Sequence, residues 1–256
     1  VAPRVPRTGL AAHPGYVGRA DHAGEIERAA VHGHGAGAAA EALDRQLLDQ
    51  KSESERALAT RCVETTRGLV NLSGGLPIRA NYCSTCGGVT AEAWEAWPTD
   101  PYDYLTSHAD GDEAGDFCGT SPLYRWREEW TAAELLGNLA KFGPTFGVPL
   151  PVGGTGALLD VRVAQRSRSG RVWWLEVETS TGTVRIHAHM LRQMLRRGGN
   201  PAAILRSNLF KIDVRRDPET RRALAVVASG SGSGHGVGLC QTGALGMAKR
   251  GGLLHV

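Results

Sequence analysis

The sequence predicts a mixed α+β fold, in which several short antiparallel strands alternate with helices and a glycine-rich loop shapes a site near the C-terminus. Three observations carry this reading. Short apolar runs recur between Ser-Gly and Thr-Gly pairs, the pattern of strands joined by tight turns. Thr131-Ala132-Ala133-Glu134 is a capping box that opens an apolar helix. Last, Gly234, Gly236 and Gly238 alternate with His235, Val237 and Leu239, which permits backbone conformations and close approaches that side chains would forbid.

In chain order, residues 41–67 read as helical, with Leu43, Leu47, Leu48, Ala57, Leu58 and Cys62 as apolar positions and a break near Lys51 to Ser54. Cys62 is therefore expected in the core. Residues 68–82 read as a hairpin around Ser73-Gly74-Gly75. A short helix or loop is expected over 90–97 and a polar, acidic loop over 98–115. Residues 123–130 carry Tyr124, Trp126 and Trp130 and read as a strand leading into the capped helix, whose core positions are Leu135, Leu136 and Leu139. Strands follow at 158–163, 172–178 and 183–188. A helix over 189–196 is stopped by Gly198-Gly199. Further strands at 210–214 and 223–228 lead into the glycine-rich loop, and the residues after Gln241 are helix formers.

Composition bounds the function classes. Hydrophobic residues at 41% and charged residues at 21% are ordinary for a globular chain of 256 residues, enough for one large domain or two small ones. The formal net charge of +3 suits an anionic surface but is no nucleic-acid footprint, and basic residues do not interleave with aromatics in a stripe. No apolar run approaches the ~18–20 residues of a membrane span. Residues 1–42 are dominated by Ala, Gly, Arg, His and Pro without a sustained period and read as an irregular leader. That leader includes His32-Gly33-His34-Gly35, a tract that would otherwise read as metal-binding.

The five cysteines are an odd count, which a full disulfide framework would not leave. Cys83 and Cys86 form a C-x-x-C, with Cys118 and Cys240 further along. Three thiolates and a fourth ligand would suit tetrahedral zinc. One disulfide, or thiols packed as small apolar groups, are the competing readings. Ser84, Thr85, Gly87 and Gly88 join small hydroxyls to a double glycine and suit an open groove floor. His235 and Gln241 are the polar groups of the glycine-rich loop, and one of them, the imidazole, is of a type that can titrate near neutral pH. Arg192 is open to either ligand contact or a buried ion pair. Ser207 and Phe210 read as braces of the fold, and Glu92 and Glu95, flanking Trp94, as a solvated face.

These blocks carry a family resemblance. Gly234-His235-Gly236-Val237-Gly238-Leu239-Cys240-Gln241-Thr242-Gly243-Ala244 resembles the signature of the SpoIID/LytB domain, found in stage II sporulation protein D and in amidase enhancers. Ala80 to Thr90 is similar to the family's Ala-x-Tyr-His-Ser-Thr-Cys-Gly-Gly-x-Thr, Leu205 to Phe210 to its Leu-Arg-Ser-x-x-Phe, and Ser169 to Val172 to its Ser-Gly-Arg-Val turn. The resemblance implies an incomplete SpoIID/LytB-like domain over 43–256, working outside the cytoplasm on the cell wall or envelope. It implies a lytic transglycosylase that cleaves peptide-free MurNAc–GlcNAc strands of peptidoglycan, with no cofactor required. The family often has His where Cys83 stands, which favours a metal.

A lytic transglycosylase needs one carboxyl group, acting first as acid and then as base. In the family that acid is a Glu followed by Met, well upstream of the Ser-Thr-Cys-Gly-Gly block. Here Met190, Met194 and Met247 are the only methionines, all downstream, and no Glu-Met pair exists. The catalytic residue is therefore unassigned, and the chain is expected to be a fragment that binds through Ser84, Thr85, Gly87, Gly88, Arg192, His235 and Gln241 without cleaving. The alternative implied by the resemblance is a glycan-binding module or an enhancer of a separate cell-wall amidase.

Overall fold

The computed structural model describes residues 53–251. The chain divides into two units, Val1–Val70 and Asn71–Val256. In the first, helix α1 (Glu53–Thr65) is described; the rest of the helix expected before it, the leader and its histidine tract lie outside the described residues. Cys62 corrects an expectation: it is exposed, as are Leu58 and Val63. Glu53, Glu55, Arg56, Arg61 and Glu64 leave this helix too polar to present a continuous apolar stripe.

The second unit is α+β, as predicted. Hairpin β1 (Leu72–Ser73) and β2 (Leu76–Pro77) turns at the glycine pair. Strand β3 (Tyr82–Cys83), helix α2 (Ala93–Ala96) and the small hairpin β4 (Gly111–Asp112) and β5 (Gly115–Asp116) follow. Strand β6 (Arg125–Thr131) alternates strictly, burying Trp126, Glu128 and Trp130. Helix α3 (Ala132–Phe142) starts from the predicted capping box. The Thr131 side chain accepts from Glu134 N–H, and Glu134 accepts from Thr131 N–H.

Two three-stranded antiparallel sheets enclose the core. One has the order β7 (Leu158–Arg166), β8 (Val172–Thr179), β9 (Gly182–His187). The other has the order β10 (Phe210–Arg216), β11 (Ala223–Ser231), β6. Between them in sequence lies helix α4 (Ala188–Leu195), and the chain continues through β12 (Leu239–Cys240) into α5 (Gln241–Lys249). Trp130, Leu135, Leu139, Leu175, Ile186, Leu191, Met194, Leu195 and Leu205 form one contiguous core from both sheets, α3 and α4. Edge strands β7 and β10 are joined by arginines: Arg166 Nη2 donates to Phe210 O at 3.0 Å, and Arg216 Nη1 to Leu159 O at 2.7 Å. Phe210 is core and Ser207 donates to Ser231 O at 2.6 Å, both bracing the fold as expected.

The fold brings together motifs far apart in sequence. β12 pairs with β3 in parallel, aligning Cys240 with Cys83, and single bridges join Thr85 to Ser233 and Ala91 to Val237. The C-x-x-C block and the glycine-rich loop thus run side by side. No helix among the described residues is long and apolar enough to cross a membrane.

Candidate functional site

The side-by-side blocks build a cluster of ligating atoms. Cys86, Asp110, Cys118 and Cys240 each offer one atom, and the four lie within 4.8 Å of one another. The Cys86 and Cys118 sulfurs are 3.7 Å apart, against the ~3.8 Å edge of a tetrahedron with 2.3 Å metal–sulfur bonds. Cys86 Sγ lies 2.9 Å from Asp110 Oδ2. Cys240 caps the N-terminus of α5, where its sulfur accepts from Gly243 N–H and from Cys86 N–H, each at 3.2 Å. Hydrogen bonds from Cys83 and Cys86, together with these amides, push the Cys240 thiol strongly down; the same bonds and burial push Cys83 and Cys86 up. One thiolate with thiol donors around it is a group poised to exchange protons for a metal ion.

The four cysteines expected to meet do pack together. The compact donor set, however, takes Asp110 from the loop between α2 and β4, with Cys83 packed beside it. Sequence reading passed over Asp110 because it stood among several acids of a polar loop. What singles it out is structural: it is half-buried, and burial pushes its carboxyl up.

Glycines of the signature loop and of α5 are there for contact. A Cβ on Gly236 would overlap the Arg171 guanidinium, and one on Gly243 would overlap the Asp110 carboxylate. The segment expected to floor an open groove is instead closed. Thr85 is buried, with its hydroxyl 2.9 Å from Ser121 Oγ and 3.1 Å from Thr242 Oγ1, while Gly87 and Gly88 press against Ser231 and Asp116.

Beside the cluster lies a cleft of about 220 Å³, lined by Glu95, Trp97, Arg171, His189, Arg192, His235 and neighbours. It unites His235 and Arg192 from the predicted set; Ser84, Thr85, Gly87, Gly88 and Gln241 do not line it. Trp97 packs against His235 with ring centroids 4.7 Å apart and planes tilted by 53°, and the Arg79 guanidinium lies 4.7 Å from the Trp97 ring centre. Arg192 Nε donates to Leu205 O at 2.7 Å and makes no ion pair among the described residues. Arg171 is buried; its Nη2 donates to Cys86 O and Val89 O, both at 3.0 Å. An aromatic array adjoins the cleft, in which Trp173 packs on Trp94, His187 and His189.

Glu95 corrects another expectation. It is only 3% exposed rather than solvated. It accepts from Ser167 Oγ at 2.6 Å, from Ser169 Oγ, and from Ser169 N–H at 3.3 Å, which ties α2 to the turn before β8. Glu92, half-buried, pairs with Arg168 at 3.4 Å.

His235 Nδ1 accepts from Val237 N–H at 3.0 Å, so the neutral ring carries its proton on Nε2. Burial first, then the fields of Arg192 and Arg171, push it down to about 4. Burial and the neighbouring His189 push His187 down to about 4 as well. Both folded values lie below the unfolded value of roughly 6.5. The unfolded chain therefore binds more protons in this window, and stability held above pH ~6.5 is lost as pH falls toward 4. The unfolding midpoint at pH 5 is expected about 5 °C or more below that at pH 7. His235→Gln is expected to flatten that dependence; an unchanged slope would remove His235 as a source.

Residues 112–238 match the family model described as a domain of unknown function (DUF8618). That span includes Cys118, both sheets and His235, and stops just before Cys240. No curated protein matches the chain.

Proposed function

We propose that this chain is a cell-wall module of SpoIID/LytB type that holds peptide-free MurNAc–GlcNAc strands of peptidoglycan in the Trp97–His235–Arg192 cleft, outside the cytoplasm. The observation that carries the reading is the tilted Trp97–His235 ring pair at that cleft, flanked by Arg79, Arg171 and Arg192. Aromatic faces accept the apolar faces of sugar rings, and guanidinium groups donate to hydroxyl, amide and carboxylate oxygens. Zinc fits the Cys86–Asp110–Cys118–Cys240 cluster as a structural ion, since four protein ligands leave no open position for a substrate.

A transglycosylase also needs a carboxylic acid free to reach the glycosidic oxygen. Among the residues lining the cleft Glu95 is the one carboxylate, and both its oxygens are engaged by the Ser167–Ser169 turn. This favours the second reading for the chain by itself: binding, or enhancement of a separate amidase, without cleavage. The test is incubation with peptide-free glycan strands. The chain is expected to be retained by the strands and to release no 1,6-anhydro ends by mass spectrometry. Trp97→Ala, which also removes packing against Ala91, Ala93, Leu105 and Val237, is expected to weaken retention about tenfold when measured well below its own melting temperature. Absence of retention would sink the glycan reading. Anhydro ends would sink the binding-only reading and make Glu95→Gln the next variant.

A further inference from the structure

A larger cavity of about 510 Å³, sharing no lining residue with that cleft, lies at the end of the β10–β11–β6 sheet. Its floor is set by register. Phe210, Gly230 and Trp126 sit side by side across the three strands, so a glycine separates two buried aromatic rings whose centroids are 6.1 Å apart. A Cβ at Gly230 would overlap the Trp126 ring, so only glycine leaves this floor undistorted.

The rim is cationic. Arg125, Arg166 and Lys211 line the cavity, and no Asp or Glu does. Elsewhere nine described arginines pair with carboxylates, from Arg127 with Glu129 to Arg250 with Asp112. The three rim cations take part in no such pair among the described residues. Arg125 and Arg166 are instead fixed by neutral partners: Arg125 Nη2 donates to Tyr124 Oη at 2.8 Å, and Arg166 Nη1 to Gly170 O at 2.8 Å. Both guanidinium groups are held in position without a direct ion pair; Tyr124 Oη passes Arg125 on to the Asp116 carboxylate, whereas the partners of Arg166 are backbone carbonyls alone. Cations of one sign around an apolar-walled hollow focus a field that attracts anions.

We infer that this cavity is a second binding site, for a carboxylate or phosphate group carried on a sugar-sized body whose ring rests over Trp126 and Phe210. It is separate from the cleft and does not depend on the glycan reading of it.

The test is an amide chemical-shift titration of the isotope-labelled chain with N-acetylglucosamine, N-acetylmuramic acid and N-acetylglucosamine 6-phosphate. These probes offer the same ring with no charge, a carboxylate or a phosphate. One or both charged sugars are expected to shift the Gly230 and Lys211 amides, the neutral sugar to leave them in place, and the tighter charged probe to name the group recognised. Lys211→Glu, at an exposed side chain, is expected to raise that Kd about tenfold without moving the melting temperature. Equal shifts with the neutral sugar would overturn the inference. So would shifts confined to Trp97 and His235, no shift with either charged sugar, or an unchanged Kd in Lys211→Glu.

Discussion

Titrated with Zn2+, the chain is expected to take up one ion, and its unfolding midpoint to rise by about 10 °C with zinc in large excess over its Kd. The effect is large because an ion bound to the folded state alone adds its binding free energy to folding. It also joins segments distant in sequence: Cys86 beside β3, Asp110 before β4, Cys118 after β5 and Cys240 at the start of α5. Chelator is expected to reverse the shift. Cobalt substitution should give thiolate-to-metal absorption, lost in Cys86→Ser, Cys118→Ser and Cys240→Ser. Two further variants decide the ligand set. If the fourth ligand is the Asp110 carboxylate, Asp110→Asn weakens uptake by ten- to a hundredfold or more while Cys83→Ser keeps it. The reverse pattern would restore the four-cysteine set read from the sequence. A chain that takes up no metal from either ion would end the zinc reading.

The contrast between Cys83 and Asp110 shows how far the sequence could be read. Elements with local signals were legible: Thr131 and Glu134 announced α3, the aromatics Tyr124, Trp126 and Trp130 announced β6, and apolar runs between Ser-Gly and Thr-Gly turns announced β8. The glycine-rich loop and the C-x-x-C block were both visible as chemistry, and the tetrahedral-zinc reading of their cysteines was the one that expected them to meet. What local pattern could not give was the partner of each polar group. Glu95 and Glu92 look alike around Trp94, yet a turn 72 residues later supplies Ser167 to one, and Arg168 from the same turn pairs with the other. Asp110 is one acid among several until β4 and α5 enclose it. Cys62 failed in the opposite sense, because an apolar position on a mostly polar helix has no long-range signal to say whether anything covers it. The cavity at Gly230 was invisible for the same reason. Its floor exists only once the register aligns Phe210, Gly230 and Trp126.

Gly246→Ala and Gly243→Ala are expected to destabilise the protein, against the direction that helix propensity predicts. Both lie inside α5, where Ala is ordinarily favoured over Gly by about 1 kcal/mol. Gly137, exposed within α3 with nothing within reach of an added Cβ, is the control, and Gly137→Ala is expected to stabilise by about 0.5–1 kcal/mol. At Gly246 the added Cβ would overlap the Phe117 carbonyl, a backbone group that cannot rotate aside. Helix α5 would have to lift from the Phe117–Thr120 turn that carries Cys118, at a cost of about 1–3 kcal/mol or more. At Gly243 the obstacle is the Asp110 carboxylate, so the clash is relieved by moving a ligand. The two variants should therefore separate in urea unfolding measured with zinc and with chelator. Gly246→Ala is expected to lose stability in both conditions. Gly243→Ala is expected to lose more with zinc than with chelator, because it costs metal affinity as well as packing. Equal losses in both conditions for Gly243→Ala would mean that Asp110 does not hold the ion, and that Gly243 serves packing alone.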